Sequence, residues 1–196
     1  MAVAEAAAAL RAGEADRAVA VGHDTPFEPE TVFHYDRLGL MSPDMLRPFD
    51  RERSGTVFGE GAAAVLLETM ADAQARQATI LGEFLGSGCT TEATGILDVR
   101  PDGDGLSRAI EIGLADAGVS ADAVGMIVAH GNGTRASDAS EVQALRRVFG
   151  ASPPPVTGFK WAFGHLIAAS GTLDLVLALN ALRQGIVPGI SNLNSL

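Results

Sequence analysis

Lysine is almost missing from these 196 residues: of fourteen basic side chains thirteen are Arg, and Lys160 stands alone. Basic charge as a whole is scarce. The 24 acidic residues set the formal net charge at -10, which removes the electrostatic footprint of a nucleic-acid binder or of a protein held on anionic lipid. Cysteine is as rare, and the single Cys89 excludes an internal disulfide and any multi-cysteine zinc site, in keeping with a reduced, cytoplasmic setting. No apolar run reaches the ~18 residues of a membrane span, and the Ala-rich start, broken by Glu5, lacks the basic-then-apolar order of a secretion signal. What is abundant is apolar side chain, 47% of the chain, enough for a packed core.

Residues 1–10 read as a helix nearly free of polar groups, closed by Gly13, and a helix apolar all round belongs in a buried position. Residues 18–21 read as a short buried strand, 23–53 as a polar loop containing proline, and 56–68 as two strands around the Gly59-Glu60-Gly61 turn. The acidic, Ala- and Gln-rich stretch 70–77 marks a junction that divides residues 1–70 from a second unit, 78–196. In that unit 79–85 reads as a strand. Leu106, Ala109, Ile110, Gly113, Leu114 and Ala117 share one helical face, and 124–129 is the continuous apolar run of a strand covered on both sides. Asp138-Ala139-Ser140-Glu141 has the form of a capping box opening a helix that ends at Gly150. Residues 156–158 make a short strand, 166–182 a long apolar helix and 186–190 a last strand. Strands alternating with helices predict an α/β layered architecture.

The chemistry concentrates where charge is sparsest. Residues 151–196 hold three formal charges, Lys160, Asp174 and Arg183, and a charge in so apolar a segment must be paired or hydrogen-bonded. Residues 131–136 match the G-x-G-x-x-A form of a dinucleotide fingerprint, but the acidic residue required some twenty positions on is absent from the Pro-rich stretch there, so a nucleotide is rejected. The other signal is His130 at the end of an apolar strand, within His-Gly-Asn-Gly-Thr, followed by Lys160 and by Gly164-His165.

That order of motifs resembles the β-ketoacyl-acyl-carrier-protein synthases of the thiolase superfamily. The flanks LRAGEADRAVAVG, PFDRERSGTVFGEGAAAVLLE and ALRQGIVPGISNL extend the resemblance over nearly the whole chain. It implies a thiolase-like layered αβαβα fold and a decarboxylative condensation of malonyl-carrier protein with an acyl thioester, in fatty acid or polyketide-like biosynthesis. His130 and His165 are the expected catalytic pair, donating hydrogen bonds to the enolate oxygen, with His165 held neutral by a helix start. Lys160 matches the family's lysine, a compact point charge beside the histidines, and Asp174, where the family usually carries Glu, is expected to be its ionic partner or a neighbour in the same network. Thr134 and Asn132 are the expected contacts of the pantetheine arm, Asn132 standing where Thr or Ser is commoner. Asp138 and Glu141 match family positions too, but capping accounts for them.

The resemblance implies no metal and no redox cofactor. The expected partner is acyl carrier protein bearing malonyl and acyl groups, and the complete protein is expected to be a homodimer or a ketosynthase-type heterodimer. Cys89 matches a loop without catalytic role. The family's nucleophile would fall about five residues before Met1, at a turn into a helix that favours thiolate, and a closing glycine-rich loop would fall beyond Leu196. The fold is therefore expected to be incomplete at both ends and the chain inactive alone. A non-catalytic, chain-length-factor type subunit is the alternative, which retention of His130, Lys160 and His165 disfavours. A thiolase lacks its histidine and second-cysteine motifs here, and a serine hydrolase lacks its G-x-S-x-G elbow.

Overall fold

The computed structural model describes residues 1–95 and 98–196. Helix α1 (Ala2–Arg11) packs on strand β1 (Arg17–Asp24), which pairs antiparallel with β2 (Gly61–Glu68) in the register Val19↔Leu66 and Val21↔Ala64. The inner face of this sheet, with Ala20 and Gly22 buried, turns to α7 (Ser170–Gln184) and to the 3-10 turn Ile167–Ala169. Small residues are required there: Gly22 lies directly against Thr172 and the Ala168 carbonyl. The outer face is open, with Val19 62%, Val21 52% and Leu66 54% exposed.

Helix α2 (Pro29–Arg37), with Pro at its start, and α3 (Met70–Ala75), capped by the Thr69 hydroxyl, complete the first part. In the second part α4 (Asp104–Ala117) packs on α5 (Arg135–Phe149). The face of α4 read from periodicity is the covered one, while Arg108, Glu111 and Ile112 point outward. Strands β3 (Ile127–Val128) and β4 (Val156–Thr157) run parallel, in the register Ile127↔Val156 and Val128↔Thr157. A short helix α6 (Lys160–Phe163) follows β4. The architecture is α/β. No helix among the described residues is long and apolar enough to cross a membrane.

Several expectations are corrected. The 18–21 strand is longer and buried on one face only, Ala20 and Gly22 being covered while Val19 and Val21 are exposed. Helix α1 fully buries Ala7 alone, while Val3, Ala4, Ala6, Ala9 and Leu10 are half-buried and Ala2 and Ala8 exposed. The 23–53 loop contains α2, and 70–77 is mostly helix. Residues 56–68 form one strand preceded by two isolated bridges, Met41↔Thr56 and Phe58↔His165. Residues 79–85 and 186–190 form no ladder among the described residues; other contacts hold them, Gly82 lying against Leu179 and the Pro188 carbonyl accepting the Thr157 hydroxyl at 2.6 Å. The 166–182 helix starts at Ser170, after the 3-10 turn.

Candidate active site

Parallel pairing of β3 and β4 sets their carboxyl ends side by side. His130 leaves β3 two residues past its end, and Lys160 leaves β4 three residues past its own. Carboxyl ends of parallel strands are where α/β proteins gather ligand-binding groups, because the chain there must leave the sheet in loops. The third member, His165, is brought in from another direction. Its N–H donates to the Val57 carbonyl at 2.7 Å and its own carbonyl accepts the Gly59 N–H at 3.1 Å, so residues 57–59 splint its backbone. Gly59 has to be glycine for this, since a Cβ would run into the Phe163 carbonyl.

The outcome is an edge-to-face pair of imidazoles, with the rings of His130 and His165 5.1 Å apart at 82°. Two hydrogen bonds fix the protonation of His165. Ile167 donates its N–H to His165 Nδ1 at 3.2 Å, so Nδ1 carries a lone pair and the ring proton sits on Nε2. The Ser170 hydroxyl accepts the Leu166 N–H at 3.0 Å and lies 3.0 Å from Nδ1, which leaves its proton for the ring. Ile167 reaches this position with a left-handed backbone, φ 44°, unusual for a β-branched residue and marking the turn as strained.

Lys160 is 1% exposed and bonds Asp174 Oδ2 at 2.8 Å, joining α6 to α7. The other Asp174 oxygen is buried and has no partner among the described residues. Burial pushes the Asp174 carboxyl up, and Lys160 opposes that shift. Burial and then the Lys160 charge hold His165 down at about 4. His130 is lowered by the same two causes in the same order, with His165 adding to them. His130 as a residue is exposed, and the lowering leaves its imidazole neutral at pH 7.

Asp138 and Glu141 do not form a capping box. Helix α5 starts at Arg135 after Thr134, so both acids lie inside it and turn toward the preceding loop. Glu141, 7% exposed, accepts the N–H of His130 at 2.7 Å and of Gly131 at 2.9 Å, one on each oxygen. Asp138, 1% exposed, accepts the N–H of Gly133 at 3.1 Å and of Phe49 at 2.7 Å. Burial raises Asp138 to about 6 against these bonds and against Arg53, 3.6 Å away. Ser170, Glu141 and Asp138 are the supporting groups that sequence reasoning passed over. A usable signal was present, because two acids in a helix directly after a glycine-rich turn can serve that turn's free amides.

Thr134 is buried and donates its hydroxyl to Asn132 Oδ1 at 2.9 Å, and the same oxygen accepts the Thr134 N–H at 3.0 Å. This Asx turn holds both expected pantetheine contacts beside His130. Cys89 is exposed, its sulfur 3.8 Å from that of Met1 at the start of α1. Among the described residues no group of three or more His, Cys, Asp or Glu side chains is placed to hold a metal ion.

Residues 1–73 match the family model described as "Beta-ketoacyl synthase, N-terminal domain", and residues 81–194 match "Beta-ketoacyl synthase, C-terminal domain". Nodulation protein E of Rhizobium sp. (strain N33) is 37% identical over 193 residues, which is 97% of this chain and 48% of that protein. The 3-oxoacyl-[acyl-carrier-protein] synthase 2 of Mycobacterium tuberculosis (strain ATCC 25618 / H37Rv) is 34% identical over 191 residues, 94% of this chain and 46% of that protein. Among solved structures, the ishigamide ketosynthase/chain length factor superposes with a TM-score of 0.92 at 34% identity, over 99% of this chain and 47% of the other. The chain spans about half the length of the curated relatives it matches.

Proposed function

Because the chain belongs to the β-ketoacyl synthase family and has its thiolase-like α/β fold, we propose that His130 and His165 stabilise the enolate formed when a malonyl thioester loses carbon dioxide. The observation that carries the reading is the edge-to-face pair of imidazoles, one accepting the Ile167 N–H at Nδ1 and so leaving Nε2 to carry its proton. In the proposed reaction the bond from the malonyl Cα to its carboxylate breaks and carbon dioxide leaves. The electron pair becomes an enolate whose oxygen accepts hydrogen bonds from the two rings. The carbanion carbon then attacks an acyl thioester on the family's nucleophilic cysteine, expelling thiolate and giving a 3-oxoacyl thioester on the carrier protein. Burial, and after it the field of Lys160 paired with Asp174, keeps the rings uncharged, so that they donate without giving up a full proton. Thr134 and Asn132 are assigned to the pantetheine arm and acyl carrier protein to the partner, a reading supported by the carrier named in the synthase relative. The division into 1–70 and 78–196 is likewise our assignment, supported by where the two family models match.

The test uses the full-length protein. His130→Ala and His165→Ala are each expected to slow malonyl decarboxylation by about 100-fold or more, the usual effect of deleting an oxyanion donor. Unchanged decarboxylation in both variants would sink the assignment. Similarity to a structure titled ketosynthase/chain length factor favours a second reading, a non-catalytic subunit paired with an active synthase. The coding sequence just upstream of Met1 separates the two. An in-frame cysteine at the turn into α1 fits the enzyme, and another residue there fits the subunit.

A further inference from the structure

Phe49 carries a left-handed backbone, φ 62°, which is sterically costly for a bulky side chain and persists only where the surroundings over-determine it. Two buried carboxylates supply that constraint. Asp138 accepts the Phe49 N–H at 2.7 Å and, through its other oxygen, the Gly133 N–H at 3.1 Å, so one side chain ties Phe49 to the turn after His130. The next residue, Asp50, is 2% exposed and pulls the loop the other way. It accepts the N–H groups of Glu52 at 2.8 Å, Asn194 at 2.7 Å and Ser195 at 3.0 Å, while Arg51 donates its N–H to the Ser195 carbonyl at 2.7 Å.

Held between these anchors, the Phe49 ring lies on Gly131. A Cβ added to Gly131 would meet Phe49 Cε2 at 3.1 Å and Pro48 Cβ at 3.1 Å, and Gly131 is itself left-handed, φ 47°. Phe49 is only half-buried, so filling the core does not account for a strained residue at this place.

We propose that Phe49 is a positioning residue whose ring, pressed on Gly131 by its constrained backbone, fixes the turn that carries His130 and keeps the His130 imidazole facing His165. The catalytic meaning of this placement rests on the function proposed above, whereas the placement itself is measured without activity.

The variants are Phe49→Gly, which tolerates the same backbone without strain and removes the ring, Phe49→Leu, which keeps apolar bulk without a flat face, and Phe49→Tyr, which restores the ring. In the full-length protein, amide exchange at residues 131–133 is expected to rise about ten-fold in the Gly and Leu variants, with β1 and α7 unchanged. The His130 resonance should then titrate nearer the ordinary imidazole range, with that of His165 unmoved, and kcat for decarboxylation should fall about ten-fold at similar KM. Phe49→Tyr returns all three to wild type. Wild-type exchange and His130 titration in the Gly and Leu variants overturn the proposal. So does exchange that rises equally in β1 and α7 in both, which makes Phe49 an ordinary packing residue. Loosened exchange and a shifted His130 with kcat intact support the positioning while overturning the role given to His130 in decarboxylation.

Discussion

A free imidazole is half-protonated near pH 6.5, but His165 is held at about 4, first by burial and then by Lys160. Between those values the unfolded chain binds more protons than the folded one. The contribution of His165 to stability is therefore complete above about pH 6.5 and is lost as pH falls toward 4. Relative to His165→Gln, the wild type should lose stability steadily from pH 7 to pH 4 in urea melts, and its His165 resonance should titrate near the lower value. A pH-independent difference between the two proteins would refute this. Asp138 runs the opposite way. With its carboxyl raised to about 6, its contribution is complete below the unfolded value near 4 and is lost as pH rises through 6, a swing on the order of 3 kcal/mol. Asp138→Asn removes that dependence, so the wild-type advantage over it should shrink from pH 4 to pH 7.

Between elements, the bond from Lys160 on α6 to Asp174 on α7 ties two helices together in the buried interior, with the buried Glu141 carboxyl near enough to feel both charges. Lys160→Met strands a carboxylate that is already missing a partner on one oxygen, and is expected to cost about 3–5 kcal/mol in denaturant melts. The double variant Lys160→Met with Asp174→Leu should recover most of that loss, and a double variant no more stable than the single one would show that the pair itself is the source of stability. The same interior explains what was legible in advance. The face of α4 and the end of α5 at Gly150 could be read because helical periodicity and a glycine stop are local. The strands expected at 79–85 and 186–190 failed because a strand is defined by a backbone ladder with its neighbour, which a local run of residues does not reveal, and the described residues form none there. Charge scarcity singled out Lys160, Asp174 and Arg183 together, and the family resemblance was needed to pick Asp174 as the partner that Lys160 bonds. Glu141 was misread because a helical acid looks the same in sequence whether it caps its own helix or reaches back to the amides of His130 and Gly131. Phe49 gave no sequence signal, since its strain is imposed by Asp138, 89 positions away.

For its mass the whole chain is open. It exposes 11353 Å², against about 8,800 Å² for a compact monomer of 20.2 kDa. The excess is larger than the roughly 800 Å² that one partner contributes to a standard interface, and part of it is the row Val19, Val21 and Leu66 on the outer sheet face. Purified alone, these 196 residues are expected to self-associate and bind hydrophobic dyes. Val21→Lys with Leu66→Lys should reduce both effects, and a monodisperse monomer with a cooperative melt would count against the expectation.

The splinting of His165 by residues 57–59 reaches beyond the ring it orients. Both histidines stand on the later segment, yet the earlier segment sets the backbone of His165, so a chain cut near residue 77 leaves each piece with an unfinished site. Such pieces could regain the histidine pair only by finding each other, in the manner of a split reporter. Substitutions on either side of the cut are therefore accountable to the same few hydrogen bonds, and the two segments are free to vary only together.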